Sequence, residues 1–224
     1  MNQATSHSNT TEIAEKNVTI DQTVLDNAMS WPEYRDRVSE LFDAGAVTGG
    51  EATEAMLHYT RLNIARMKRI EKTTVLLPET IEALEATAGR HEWVVLTEGW
   101  CGDAAQIVPV LGLMAAATPG TELRIILRDQ HLDIMDAFLT NGGRSIPKLL
   151  LVDRNTREVI ASWGPRPAVL QEIIMQTRER AEEISDPALY KKIIDQSKED
   201  AQRWYTSDKT VSIQAEVVKL LQSA

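Results

Sequence analysis

An α/β domain flanked by helices at both ends is what this sequence predicts. Three observations carry the expectation. Apolar runs of strand length alternate with helical segments from Pro78 to Glu183, the last two runs are joined by the short polar turn Asp153-Arg154-Asn155-Thr156, and amphipathic helical stripes lie on either side. The predicted layout is a disordered tail over 1–23, a helical hairpin over 24–74, the α/β domain over 75–183 and a C-terminal helical appendage over 184–224.

Residues 1–23 are rich in Asn, Thr, Ser and Gln and offer little to bury. Ser30-Trp31-Pro32-Glu33 then has the form of a capping box, with Ser30 and Glu33 able to satisfy each other's backbone N–H groups and Pro32 placed where its missing donor costs nothing. Trp31, Tyr34, Val38, Leu41 and Phe42 follow at helical spacing. Gly45 to Gly50 breaks the run, and Met56, Tyr59, Leu62, Met67 and Ile70 mark a second helix. From Pro78 the expected order is α-β-α-β-α-β-β-α: helix 78–88, strand 93–97, helix 104–117, strand 122–127, helix 132–139, strands 148–152 and 158–163, and helix 167–183. Asp186-Pro187 starts another helix with an N-cap and a proline in the first turn. Leu189, Ile193, Ala201 and Trp204 form its stripe, and Ile213, Val217, Leu220 and Leu221 form a last one. These stripes can bury against the domain or, in a homodimer, against a second copy of the chain.

Composition narrows the function. A formal net charge of −9 disfavours nucleic acid, since counterion release by clustered basic residues supplies most non-specific affinity. No apolar run approaches the length of a membrane span, and Met1 to Asn17 lacks the features of a secretory signal, so a cytoplasmic location is expected. The single cysteine, Cys101, excludes an internal disulfide, and the four histidines lack metal-site spacing. No cofactor is implied.

Cys101 falls between a strand and the start of a helix, in Leu96-Thr97-Glu98-Gly99-Trp100-Cys101-Gly102-Asp103-Ala104. Helix N-termini favour a thiolate through the dipole and free N–H groups. Asp103 and Glu98 oppose it by like charge, whereas Arg144 or Lys148 would favour it if their loop packs over the thiol.

Trp100-Cys101-Gly102-Asp103-Ala104, with Pro109 inside the same helix, resembles the W-C-G-P-C motif of the thioredoxin family. Ser145-Ile146-Pro147-Lys148 resembles that family's cis-proline segment, and with Trp163-Gly164-Pro165-Arg166-Pro167 the pattern is similar to a bacterial branch with an N-terminal helical extension. The resemblance covers about residues 75 to 183. It implies a three-layer α/β/α thioredoxin-like fold with Cys101 as nucleophile, Pro147 beside it, and Trp100 and Ile146 along the substrate groove. From the residues themselves Arg144 is either a solvated loop cation or an anion clamp facing the thiol, with Gly142-Gly143 allowing close approach, and Asp103 is a helix N-terminal charge or a partner of Arg144 rather than a general base. The departure is Ala104, which stands where the family has its resolving cysteine. The expected chemistry is therefore monothiol exchange with a protein or low-molecular-weight thiol or disulfide, resolved by an external thiol. The alternative is a non-catalytic thioredoxin-fold module that binds a peptide or small acidic ligand.

Overall fold

A computed structural model of the chain describes residues 12–13 and 18–224. Its elements are β1 (Glu12–Ile13), α1 (Gln22–Asp26), α2 (Trp31–Asp43), α3 (Glu54–Thr73), α4 (Pro78–Ala86), β2 (His91–Thr97), α5 (Ala104–Ala116), β3 (Leu123–Leu127), α6 (Leu132–Met135), β4 (Lys148–Asp153), β5 (Val159–Trp163), α7 (Ala168–Glu182), α8 (Pro187–Asp208) and α9 (Val211–Ser223). The helix starts written in the sequence are realised in the caps. Ser30 and Glu33 close a reciprocal capping box on α2, and Asp186 accepts from Ala188 and Leu189 at the start of α8. Each such cap contributes about 1 kcal/mol.

The sheet runs in the order β1-β5-β4-β2-β3. β2 pairs parallel to β3, with Val95 opposite Ile125, while β2 with β4 and β4 with β5 are antiparallel. Val94 to Leu96 and Leu149 to Leu151 are fully buried. Central strands covered on both faces need continuous apolar runs rather than alternation.

One face of the sheet, carrying Trp93, Val95, Ile125, Leu149, Leu151 and Trp163, packs on α5 and with it on α2, α3, α7 and α9. The other face, with Val94, Leu96, Leu150 and Val152, meets α1 and α6. This is a mixed α/β sheet flanked by helices, with helical extensions, as the sequence predicts. α5 is apolar on nearly every side, and only the helices that the extensions contribute make this possible: α2, α3 and α9 cover the side it turns away from the sheet. The α9 stripe of Ile213, Val217, Leu220 and Leu221 is buried in that same core.

Two expectations need correction. Residues 1–11 and 14–17 of the expected tail lie outside the described residues, but the rest of it is part of the fold. Glu12–Ile13 pair with Ser162 and Ala161 of β5, Thr19 bridges Glu158, Ile20 is fully buried and Asp21 caps α1. Strand addition uses backbone groups, so a polar composition does not prevent it. The helix expected over 132–139 is α6, which ends at Met135. The chain then tightens into turns in which the N–H groups of Ala137 and Phe138 donate to Ile134 and Met135, and this brings Phe138 into the second core.

Gly112 shows how closely α2 meets α5. A Cβ there would lie 2.8 Å from Trp31 Cγ. Ala in a helix interior is ordinarily favoured over Gly by about 1 kcal/mol, yet here it would have to displace a buried indole. Gly112→Ala is expected to lower the urea-unfolding free energy by about 1–3 kcal/mol, as measured by chemical denaturation; a gain in stability would contradict the α2–α5 contact.

Candidate functional site

β2 ends at Thr97 and α5 begins at Ala104, and the turn between them is held by the N-terminal extension. The Gly99 N–H donates to Thr48 Oγ1 at 2.8 Å, and Asn63 Nδ2 donates to the Gly99 carbonyl at 2.9 Å. Thr48 and Asn63 are both buried, so the two polar groups of this glycine are satisfied away from water. A Cβ on Gly99 would lie 3.0 Å from both methyl groups of Val38, which favours glycine at this position.

This turn presents Cys101, partly exposed, at the head of α5. The Ala104 N–H points to its sulfur at 3.5 Å, and the thiol donates to the Ile146 carbonyl at 3.3 Å. Ile146 and Pro147 are buried and joined by a cis peptide bond. Trp100 stands next to the thiol with the Arg128 guanidinium 5.0 Å from its ring centroid, and its Nε1 is buried with no hydrogen-bond partner among the described residues.

Asp103, in the first turn, anchors a network rather than acting as a free base. Its Oδ2 accepts from Arg166 Nε and Nη2 at 2.9 and 2.7 Å, and its Oδ1 accepts from the Tyr205 hydroxyl at 3.0 Å. Arg166 also donates to Gln171 at 2.7 Å. Three separate segments, the head of α5, the turn before α7 and the end of α8, therefore meet beside the cysteine.

Several expectations about this region change. Burial, followed by the charge of Asp103, pushes the Cys101 thiol up from its ordinary 9.0 to about 12; the N–H groups of Ala104 and Asp103 and the Arg166 charge pull the other way without prevailing. Cys101 as a residue is nevertheless partly exposed and lines a cavity. Arg144 is exposed and pairs with Asp136 at 2.6 Å, leaving Arg166 as the cation that acts on the thiol and as the partner of Asp103. Lys148 is buried with its ammonium donating to Thr140 Oγ1 and the Gly164 carbonyl. Glu98, also buried, accepts from the Asp129 N–H at 3.0 Å, and burial raises its pKa. The structure thus brings Cys101, Trp100, Asp103, Ile146 and Pro147 together and leaves Arg144 apart.

Above the thiol lies a cavity of about 580 Å³ between α3, α7 and α8, with Trp100, Cys101, Gly102 and Asp103 at its base. This is the size of a small-molecule site. A second cavity of about 620 Å³, between α7 and α8, does not include the cysteine. Tyr205, Gln202, Asn63 and Arg66 have no motif to flag them in the sequence, because they come from the helical extensions. Arg166 lies within the Trp163 to Pro167 segment singled out there.

The thiol's surroundings yield opposed expectations for two neighbours. Asp103→Asn removes a like charge and lowers the apparent Cys101 pKa, whereas Arg166→Gln removes a cation and raises it. The pH dependence of iodoacetamide alkylation reports both, and a shift in the same direction for the two variants would refute this account. The linkage follows in sign: a thiol that keeps its proton to higher pH in the folded chain contributes stability that is full below about 9 and is lost as pH rises towards about 12. Cys101→Ser should therefore flatten part of the alkaline fall in unfolding free energy.

Comparison with known proteins agrees with this architecture. Two solved structures share the fold with a TM-score of 0.56 each: a protein of unknown function from Pseudomonas aeruginosa, 14% identical over 89% of this chain and 95% of that one, and an HIV epitope scaffold, 15% identical over 90% of this chain and 97% of that one. No curated protein matches the sequence. The family model described as thioredoxin matches residues 49–182. Since that match runs from the loop ahead of α3 to the end of α7 and spans more than half of its length, the chain belongs to the thioredoxin family.

Proposed function

We propose that this protein carries out monothiol thiol–disulfide exchange, with Cys101 as the nucleophile and an external thiol as the resolving group. The observation that carries the reading is the position of Cys101: it lines a cavity at the head of α5, with its sulfur 3.3 Å from the Ile146 carbonyl next to Pro147. In the reaction, the Cys101 sulfur bonds to one sulfur of an incoming disulfide. The disulfide bond breaks, and the other half leaves as a thiol carrying the proton that Cys101 loses. Cys101 is oxidised to a mixed disulfide and the leaving half is reduced. Ala104 cannot attack that product, so a second thiol from outside the chain completes the cycle.

The resting thiol is held back. Burial and the Asp103 charge keep the thiol protonated at neutral pH, which lowers the thiolate fraction, while the higher nucleophilicity of a more basic thiolate recovers part of the loss. A partner whose N–H donates to the Ile146 carbonyl would displace the S–H from it and remove one source of stabilisation for the neutral form. The raised thiol pKa also favours a second reading, in which the cavity is a binding site for a peptide or small acidic ligand and the thiol takes no part.

Intact mass after exposure to 2-hydroxyethyl disulfide, an uncharged probe, separates the two. Exchange predicts a single adduct on Cys101, absent in Cys101→Ser and removed by added thiol. A folded protein that forms no adduct up to pH 9 would overturn the exchange reading and favour the binding module.

A further inference from the structure

We infer that the cavity above Cys101 is an anion-recognition site, built around Arg66, that selects small ligands bearing a carboxylate. The charges around the cavity motivate it. Most of its lining cations are already neutralised: Arg166 by Asp103 at 2.7 Å, Lys198 by Asp195 at 2.9 Å and Arg203 by Glu199 at 3.4 Å. Arg66 and Arg178 also line it, and among the described residues neither has a carboxylate within ion-pair distance. This local excess of positive charge sits in a chain with a net charge of −9.

Arg66 is also fixed in place. Its Nη1 donates to Asn63 Oδ1 at 2.8 Å, and Asn63 in turn donates to the Gly99 carbonyl in the turn before the cysteine. Nη1 lies 3.7 Å from where a Cβ on Gly102 would be, so the guanidinium stands over the residue next to Cys101. Asp103 acts on Arg66 only from beyond ion-pair distance and is already engaged by Arg166 and Tyr205, while Arg69 repels it. A half-buried guanidinium with one neutral hydrogen-bond partner gives up hydration without receiving a counter-charge, and its planar fork of donors suits a carboxylate. Arg178, exposed on α7, supplies a second charge at the rim, matching a ligand with two carboxylates.

The inference deepens the exchange reading by naming its substrate class, a small disulfide with carboxylate groups, and its test does not depend on thiol reactivity. The probe is 3,3′-thiodipropionate, a thioether that cannot exchange, compared with its uncharged diamide against the full-length Cys101→Ser protein by ligand-observed NMR. The diacid is expected to bind at least tenfold more tightly than the diamide. Arg66→Gln abolishes that preference, Arg66→Lys retains only part of it because the charge stays while the planar fork is lost, and Arg178→Gln weakens it two- to threefold. Equal binding of diacid and diamide, no binding of either, or a preference that survives Arg66→Gln with the fold intact would each overturn the site. Diacid binding without any adduct from the uncharged disulfide would uphold the site while the exchange reading fails, and an adduct without diacid preference would do the reverse.

Discussion

The backbone of Gly99 is the point on which the rest of the site depends. Its N–H and carbonyl lie in the turn that delivers Cys101 to the head of α5, and both are satisfied by side chains from the preceding helical segment, Thr48 and Asn63. Each bond contributes only about 1 kcal/mol net, but a buried backbone group left without a partner costs about 1–3 kcal/mol. The turn and the segment over 48–63 are therefore mutually dependent. Asn63 extends the dependence outward, since the oxygen that does not face Gly99 receives Arg66. One buried amide connects the shape of the turn to the charge in the cavity.

The extensions belong to the core as well as to the site. Trp31 fits against Gly112, Trp31 and Arg35 share Glu71, and Gln106 of α5 links Arg69 on α3 to Gln202 on α8. On the far side, Glu216 of α9 accepts from Trp163 Nε1 and from the Ala168 N–H. Buried polar groups that each find a partner on a different element restrict the ways those elements can pack, and apolar contacts alone would leave more freedom. The Asp103–Arg166–Tyr205 network follows the same pattern, with the charged pair retained in a low-dielectric setting because each member is fully engaged.

Local signals in the sequence were sufficient for most of the fold. The Ser30–Glu33 box, Asp186-Pro187, and the strand runs at Val94 to Leu96 and Leu149 to Leu151 act over a few residues, and the structure has each of them in place. The site was less legible because its decisive contacts are non-local. Arg144 and Arg166 both follow glycine-containing turns near strands, and nothing in the chain distinguishes the one that reaches Asp103 from the one that folds back on Asp136. The helix N-terminus and Asp103 exert opposed effects on the thiol, and burial, which decides between them, is a property of the packed fold rather than of neighbouring residues in the sequence. Ile20 and the pairing of Glu12–Ile13 were hidden for a related reason, since an edge strand announces itself through its backbone rather than its side chains.

Asp103 and Tyr205 lie 102 positions apart, and Gly102 and Gln202 lie 100 apart. Closing loops of that length is the slow part of assembling a chain, because their entropy is lost before the contact repays it. During synthesis the cysteine emerges long before α8 exists to cover it. The network around Asp103 is consequently a property of the finished chain, complete only when the helix carrying Tyr205 has docked beside the cysteine.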